Sequence, residues 1–167
     1  MALLKWMGRR WDRREGVTVD SAFTACVVVA ADRERVWSVV TNPAAAHLIR
    51  DDVVRAFVVP GTPTEGVGSQ TCTVTRDANR LHAHIDETTG FDRLDFIESV
   101  LRTGPMDIRQ ELALSGPPDG PTTLQLRVSL NLLIGKEDEV RHDMESEIQT
   151  FLNRLRSVIE SGATFSG

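Results

Sequence analysis

The sequence predicts a single α+β domain in which a curved, seven-stranded antiparallel sheet wraps around one long C-terminal helix, with two short helices after the first strand. Three features of the 167-residue chain lead to this fold class. Residues 136–161 show an uninterrupted helical pattern. Before them, seven segments show strand-like patterns separated by turn-forming residues, and a helical pattern interrupts these segments only once, after the first one.

The long helix is predicted from apolar residues that recur on one side of residues 136–161 with the 3.6-residue period of an α-helix. These residues are dense over 148–159 but sparse in the first half, where they are Val140 and Met144. A helix of this length needs a broad apolar surface to lie on, and the preceding sheet would supply it. Because the first half has few apolar side chains to fill the concave sheet, we expect a gap there in which a ligand would lie.

The first strand and the short helices follow from local patterns. Residues 22–31 are β-branched and apolar, with Phe23 and Val29 on one face. Asp32 is placed to cap a helix that carries Trp37 on its apolar side, and this helix should end before Pro43, which restricts the residue that precedes it. Residues 43–48 then form the second short helix, with Pro at its first turn.

The residue pattern between the short helices and the long helix predicts six further strands. Turn formers such as Pro-Gly, Asp-Ala-Asn and Thr-Gly separate them. The predicted strands span residues 52–59, 67–76, 81–88, 92–101, 106–114 and 123–134. The last has the clearest alternation of apolar and polar residues in the chain.

The first 15 residues have a basic, amphipathic pattern and carry a net charge of +3, whereas the whole chain carries −5. Residues 1–14 place apolar and basic side chains on opposite stripes, which is typical of a helix that lies on an anionic membrane surface. A frayed tail, or extra residues from an upstream start codon, explains the same pattern. The predicted organisation is therefore a basic segment at 1–15, helical or disordered, and one ligand-binding domain at 16–167.

The overall charge argues against nucleic acid as a partner, because a duplex-binding surface needs clustered Lys and Arg. Cys26 and Cys72 both lie in predicted strands. The sequence has neither an apolar signal-peptide core nor a run of about 20 apolar residues. We therefore expect a cytoplasmic protein, monomeric or homodimeric, without a cofactor.

Several short motifs, taken with the order of the elements, resemble the START/SRPBCC superfamily. Ala-Ala-Asp32 is followed by Val36-Trp37 and by Thr41-Asn42-Pro43, Gly66-Val67-Gly68 opens a strand, and the long helix ends in Phe-Leu-x-x-Leu-x-x-x-Ile. The resemblance covers residues 20–161 and implies the helix-grip fold of the birch pollen allergen, lipid-transfer domains and bacterial polyketide cyclase/dehydrase-like proteins. It implies a hydrophobic cavity but no particular reaction, since members include carriers, sensors and cyclases.

Three polar side chains, Gln70, Glu98 and Gln110, fall in phase with apolar neighbours on predicted strands, which would place them on the inward face. A polar group facing a core needs protein, water or ligand as a partner, since leaving it bare costs about 1–3 kcal/mol. These three side chains are therefore candidates for ligand contact. The alternative is that a bulge shifts the strand phase, or that Glu98 lies at an exposed strand end.

The expected pocket wall consists of Trp37, Met144 and Ile148 together with inward residues of the central strands. Arg141 lies four residues after Glu137 at the start of the long helix, where the two side chains either gate the pocket mouth or form a solvated pair. His47 belongs to the region that borders the cavity entrance in the resembled superfamily. It is either an acid or base, or an ordinary surface or packing residue.

His82, His84 and Asp86 alternate on one strand face, a spacing that could present three ligands to a metal ion. The apolar residues that alternate with them, however, claim the inward face, so we expect the trio to face water and predict no metal site. Gly66 and Gly68 lead into a strand, which favours a tight turn over a phosphate-binding loop. No catalytic set can be identified from the sequence.

The sequence thus favours a non-enzymatic carrier or sensor for a small hydrophobic molecule, lipid-like or polyketide-like. A polyketide cyclase or aromatase using the same cavity to position a reactive chain is the alternative. A membrane-apposed adaptor, acting through residues 1–14, is a second alternative. An acid–base pair inside the cavity would favour the enzyme, and a purely apolar lining would favour the carrier.

Overall fold

The structure, a computed structural model, describes residues 18–78, 80–103, 106–133 and 137–164. Its strands are β1 (Thr18–Val29), β2 (Val53–Val58), β3 (Gln70–Asp77), β4 (Arg80–Asp92), β5 (Phe96–Thr103), β6 (Met106–Ser115) and β7 (Thr122–Leu133). Its helices are α1 (Arg33–Val40), a 3₁₀ turn (Pro43–Ala45), α2 (Ala46–Ile49) and the long α3 (Glu137–Glu160). The predicted fold class is confirmed, whereas the basic segment at 1–15 lies outside the described residues.

All seven strands form one sheet in the order β1-β7-β6-β5-β4-β3-β2, and every neighbouring pair is antiparallel. Because β1 pairs with β7, the first and last strands of the chain lie side by side at one end of the sheet. The short β2 forms the other edge. The strands β2, β3 and β4 therefore lie far from the β1 edge.

The long helix α3 packs mainly on β1 and β7, and its C-terminal half also meets α1 and α2. We call the sheet face that α3 covers the inner face. On β1 it carries Phe23, Val27 and Val29, which are almost completely buried, whereas Val28 on the opposite face is 59% exposed. The predicted face of the first strand is therefore confirmed. The helix contributes a continuous apolar stripe to this core: Val140, Met144, Ile148, Leu152, Leu155 and Ile159.

The short helix α1 begins as predicted, because the Asp32 carboxylate accepts a hydrogen bond from the Arg35 backbone N–H at 2.7 Å. Trp37 of this helix is 3% exposed and packs edge-to-face on Phe91, with ring centroids 5.4 Å apart. Its indole N–H donates to Glu65 Oε1 at 3.1 Å. Trp37 thereby joins α1 to the loop between β2 and β3 and to β4.

Arg33 joins the start of α1 to two turns of the sheet. Its guanidinium donates to Asp95 Oδ1 at 2.8 Å, in the β4–β5 turn, and to the Gly116 carbonyl after β6. Gly66 and Gly68 adopt φ values of +89° and +86° in the turn that leads into β3, which agrees with the predicted tight turn. Among the described helices, none combines the length and the apolar character that a membrane span requires.

Candidate functional site

The inner face of the sheet changes from apolar to polar between β7 and β3. On β3, Thr73 and Thr75 are 6% and 5% exposed, and on β4 His84 is 6% exposed. Thr73 and His84 are directly opposed across the two strands. Leu81, on the other face of β4, is 61% exposed. We expected the face of β4 that carries His82, His84 and Asp86 to point to water. The burial of His84 shows that this expectation is wrong for His84.

Cross-strand register places Asp86 on the inner face as well. Asp86 lies opposite Leu101 of β5, which in turn lies opposite Ile108 of β6, and both apolar residues belong to the core. On its other side Asp86 pairs with Thr71 of β3. No hydrogen bond joins the side chain of His84 or Asp86 to another of the described residues. Both groups are thus turned inward, and neither has a hydrogen-bond partner in the part of the chain that the structure describes.

An ion pair at the start of β2 completes this polar region. The Arg50 guanidinium bonds both carboxylate oxygens of Asp52, with Nε–Oδ1 at 3.3 Å and Nη2–Oδ2 at 3.2 Å. The two side chains are only 13% and 17% exposed. Asp52 also accepts a backbone hydrogen bond from Arg76 of β3, which fixes the junction between α2 and β2 to the sheet. We call the following set the polar wall: Arg50, Asp52, Thr73, Thr75, His84 and Asp86.

Burial controls the ionisation of the polar wall. Desolvation, together with the nearby positive charge of Arg50, lowers the pKa of His84 from 6.5 to about 4, against the opposing effect of Asp52. Desolvation raises the pKa of Asp86 from 3.8 to about 6, although Arg50 opposes this rise. Desolvation also acts to raise the pKa of Asp52, but its hydrogen bonds and ion pair with Arg50 outweigh burial and lower it. At neutral pH, His84 is therefore uncharged.

Glu147 of α3 has a carboxylate oxygen, Oε2, that is buried and receives no hydrogen bond. Desolvation and the neighbouring Asp143 raise its pKa. The opposite flank of α3 faces β1, because Gln149 donates to the Cys26 carbonyl at 3.5 Å. Two turns after Glu147 and on its own flank, Arg154 pairs with Asp51 at 2.9 Å. Glu147 therefore lies on the flank of α3 directed toward the α2–β2 junction, where the polar wall begins.

The three polar candidates of the strands divide between the two faces. Gln110 lies on the inner face, between Ser99 of β5 and Val128 of β7, as its phase predicts. Gln70 lies on the outer face opposite Glu87, and the predicted inward position is wrong because the buried side of β3 is its threonine side. The inward position of Glu98 is wrong too: Glu98 pairs with Glu111 on the outer face and accepts a hydrogen bond from Thr89 at 2.7 Å.

The apolar candidates Trp37, Met144 and Ile148 all lie in the core, with 3%, 3% and 4% of their surfaces exposed. His47 is exposed in α2, at the surface position that was the alternative to an acid or base role. Arg141 lies over the Phe23 ring at 5.4 Å and pairs with Glu145 at 3.3 Å. Its predicted proximity to Glu137 concerns a side chain outside the described residues. Within the described ranges, no three His, Cys, Asp or Glu side chains converge as metal ligands would.

Sequence reasoning missed most of the polar wall. Nothing in the local pattern showed that Arg50 and Asp52, which flank an exposed Asp51, would pair beside β3 and β4. The available signal was the alternation of His82, His84 and Asp86, which shows that the three share a face. It does not show which face is inward.

At the level of sequence, no protein-family model and no curated protein matches the chain. Solved structures do match it. A START superfamily protein from Mycobacterium smegmatis gives a TM-score of 0.69 at 16% identity, covering 85% of this chain and 99% of that one. The Zhui aromatase/cyclase from Streptomyces sp. R1128 gives 0.65 at 17% identity, covering 89% and 99%. The chain has the START/SRPBCC helix-grip fold.

A third helix-grip structure, norcoclaurine synthase from Thalictrum flavum in complex with dopamine and hydroxybenzaldehyde, gives a TM-score of 0.63 at 10% identity, covering 89% of this chain and 91% of that one. At sequence identities this low, the structural similarity defines the fold only, and the activity has to be argued from the site.

Proposed function

We propose that the chain binds a small, largely hydrophobic molecule that carries a polar group, in the space between α3 and the inner face of β3–β5. The observation that carries this proposal is the polar wall, in which the buried His84 and the partly buried Asp86 face inward and have no hydrogen-bond partner among the described residues. Burying such polar groups costs free energy unless a hydrogen-bond partner is supplied. A ligand with one polar end would supply it, while the apolar core residues Met144, Ile148 and Leu101 would contact its body.

The fold supports the same proposal. The helix-grip neighbours include a synthase in complex with two small aromatic molecules and an aromatase/cyclase. A pocket lined mainly by apolar side chains, with a few polar groups that orient the ligand, is the usual form of a small-molecule site. We place this site in one ligand-binding domain, residues 16–167, and the protein in the cytoplasm, where Cys26 and Cys72 would remain free thiols.

The proposal is tested with the uncharged dye Nile red and with native mass spectrometry of the purified protein. We expect the dye to bind with increased fluorescence, and a co-purifying small molecule to appear as a mass increment that organic extraction removes. Met144→Trp, in the sparse half of α3, should abolish dye binding while the protein stays folded. Leu155→Trp, in the half of α3 with the denser apolar residues, should instead destabilise the fold by about 1–3 kcal/mol, because the larger ring would overpack a core position that is 1% exposed.

Failure of the parent protein to bind the dye, combined with destabilisation by Met144→Trp, would show a closed core and overturn the proposal.

The second candidate is a cyclase or aromatase, and the pair His84 and Asp86 favours it. A carboxylate with a pKa of about 6 can accept a proton near neutral pH, and an uncharged imidazole can donate a hydrogen bond through its N–H to an oxygen that gains negative charge. Held on one strand face, Asp86 could abstract and return a proton, and His84 could stabilise the enolate, while a bound poly-ketone chain closes a ring and loses water. Positioning of the chain would supply much of the rate.

A linear poly-β-ketone thioester analogue tests this second candidate. If the chain is a cyclase, the aromatic product should accumulate faster than in buffer, as followed by its ultraviolet absorbance, and Asp86→Asn should remove the acceleration while Nile red still binds. Dye binding without any acceleration would leave the carrier function alone.

A further inference from the structure

We propose that the polar end of this ligand is a hydrogen-bond donor without negative charge, such as a phenol, an alcohol or an amine, and that the site rejects carboxylates and phosphates. This inference rests on the proposed function and names the ligand class of the same site. The geometry that supports it is the pairing of the charges in and around the polar wall.

The one guanidinium of the polar wall is already paired. Arg50 engages Asp52 through both carboxylate oxygens, which is the arrangement by which an arginine satisfies a planar anion. An anionic ligand could take the Arg50 donors that Asp52 uses only by displacing Asp52, which would leave a buried carboxylate without its counter-ion, an arrangement that proteins avoid. At the other N–H groups of Arg50 the positive charge is already offset by Asp52, so an anion would gain little net attraction there.

The remaining ionisable groups that face this space are acceptors or uncharged. Asp86 lies on the inner face of β4. Glu147 of α3 has a buried carboxylate oxygen, Oε2, on the helix flank that is directed toward the α2–β2 junction. Neither carboxylate receives a hydrogen bond from a described residue at these positions. A ligand hydroxyl or ammonium group would donate to one of them, whereas a ligand carboxylate would add a further negative charge in a desolvated region.

The neighbouring elements bring no compensating cation. The inner face of β5 carries Ile97, Ser99 and Leu101, and Gln110 follows on β6. The three arginines of α3 lie elsewhere. Arg141 pairs with Glu145 over the Phe23 ring, and Arg154 pairs with the exposed Asp51. Arg156 lies two helical turns after Gln149, on the flank of α3 that faces β1. His82, two residues before His84, is exposed to solvent, which screens any charge that it carries. Among the described residues, the charges therefore disfavour an anion from every side of the site.

A matched ligand series tests the inference. Naphthylmethanol, naphthylmethylamine, naphthoate and methylnaphthalene share one apolar body and differ in the polar end, which is neutral, cationic, anionic or absent. In displacement of Nile red at pH 7.5, we expect the alcohol and the amine to bind at least about tenfold more tightly than naphthoate, a difference of about 1.4 kcal/mol. Naphthoate binding as tightly as the alcohol would overturn the inference while leaving the pocket in place. Absence of Nile red binding would overturn the proposed function itself.

Variants of two adjacent aspartates make the test specific. Asp52→Asn frees the Arg50 guanidinium, so naphthoate should gain about tenfold relative to naphthylmethanol. Asp51→Asn removes a charge at the next position, but its partner Arg154 lies outside the site, so the affinity ratio should stay at the parent value. If Asp52→Asn does not fold, Glu147→Gln provides a second route, because it leaves the Arg50–Asp52 pair intact and should reduce the preference for the amine several-fold. An unchanged ratio in the folded variants would refute the charge argument.

Discussion

His84 and Asp86 should give the protein two opposite pH dependences of stability, which cancel in the parent chain and separate in single variants. The unfolded chain binds a proton at His84 below pH 6.5, but the folded chain does so only below about pH 4. This group therefore makes stability rise as the pH rises from 4 to 6.5. The folded chain keeps a proton on Asp86 up to about pH 6, whereas the unfolded chain loses it above pH 3.8. This group makes stability fall over nearly the same range.

The magnitude follows from the two displacements. At 1.36 kcal/mol for each pKa unit, the lowered pKa of His84 corresponds to about 3 kcal/mol and the raised pKa of Asp86 to about 3 kcal/mol. Between pH 4 and 6, the pair holds one proton in the folded chain, and the two groups together hold one in the unfolded chain. Their net contribution to the slope is therefore close to zero. Either change is a large part of the 5–15 kcal/mol that stabilises a typical domain.

The assay is urea unfolding at half-unit intervals from pH 4 to 7.5, with the free energy of unfolding expressed as a difference from the parent at each pH. Asp86→Asn removes the Asp86 contribution and leaves that of His84, so its stability relative to the parent should decrease by about 3 kcal/mol as the pH falls from 6 to 4. His84→Gln removes the His84 contribution and leaves that of Asp86, so its relative stability should decrease by a similar amount as the pH rises from 4 to 6.5. Asp51→Asn, at an exposed position, is the control with no such slope.

Parallel curves for the parent, Asp86→Asn and His84→Gln would refute the reasoning. They would mean that water reaches both side chains, so that neither the polar wall nor its desolvation exists as described. A common change of slope in all variants, including the Asp51→Asn control, would instead point to the surface carboxylates.

Three further predictions concern the residues that pack around the site and the N-terminal segment. Trp37→Ala should lower the free energy of unfolding by about 3–5 kcal/mol, since it removes a buried ring, whereas Trp37→Phe should retain much of the contact; a loss under about 1 kcal/mol for the alanine variant would contradict its burial. Arg33→Ala should cost about 1–3 kcal/mol because it separates α1 from two turns, while Arg93→Ala, in an exposed ion pair, should cost under about 1 kcal/mol, and equal losses would contradict the proposed role of Arg33. A chain that begins at Gly16 should keep its melting temperature, and salt-sensitive sedimentation of only the full chain with anionic vesicles would instead support the membrane-adaptor alternative.

The elements were predictable because their signals are local. The alternation along β7 and the long apolar stripe of α3 need no knowledge of the rest of the chain. The predicted strand boundaries were wrong where a turn or a bulge of the backbone left no local signal in the sequence. Residue 92 was predicted to open a strand, but β4 continues to Asp92 and a turn follows, with Leu94 at φ +71°. Gly90, predicted to end β4, lies at a bulge where a Cβ would approach Glu98 and Phe96 to 3.1 Å.

The polar wall was not predictable because hydrophobicity was used to decide which face is inward. That rule holds on β1 and β7, where α3 covers the inner face and apolar residues lie beneath it. On β3 and β4 the inner face carries threonines, His84 and Asp86, while Leu81 points outward. The same rule therefore assigned the wrong face to Gln70. On β5, Val100 is buried on the outer face, so apolar phase gave no guide to Glu98 either.

On β4, polar residues face inward and Leu81 faces outward, and this inversion of the usual pattern is itself an argument for a binding site. Leucine or valine at the positions of His84 and Asp86 would continue the apolar core that β7 provides, without the losses of stability that the two displaced pKa values imply. In a sequence whose local patterns agree with its fold, departures from the apolar pattern of the core occur mainly at functional sites. In this chain the departure is greatest on β3 and β4, the part of the inner face that the long helix does not approach closely. The helix-grip fold thus stabilises one half of its sheet by apolar packing and leaves the other half free to contact a ligand.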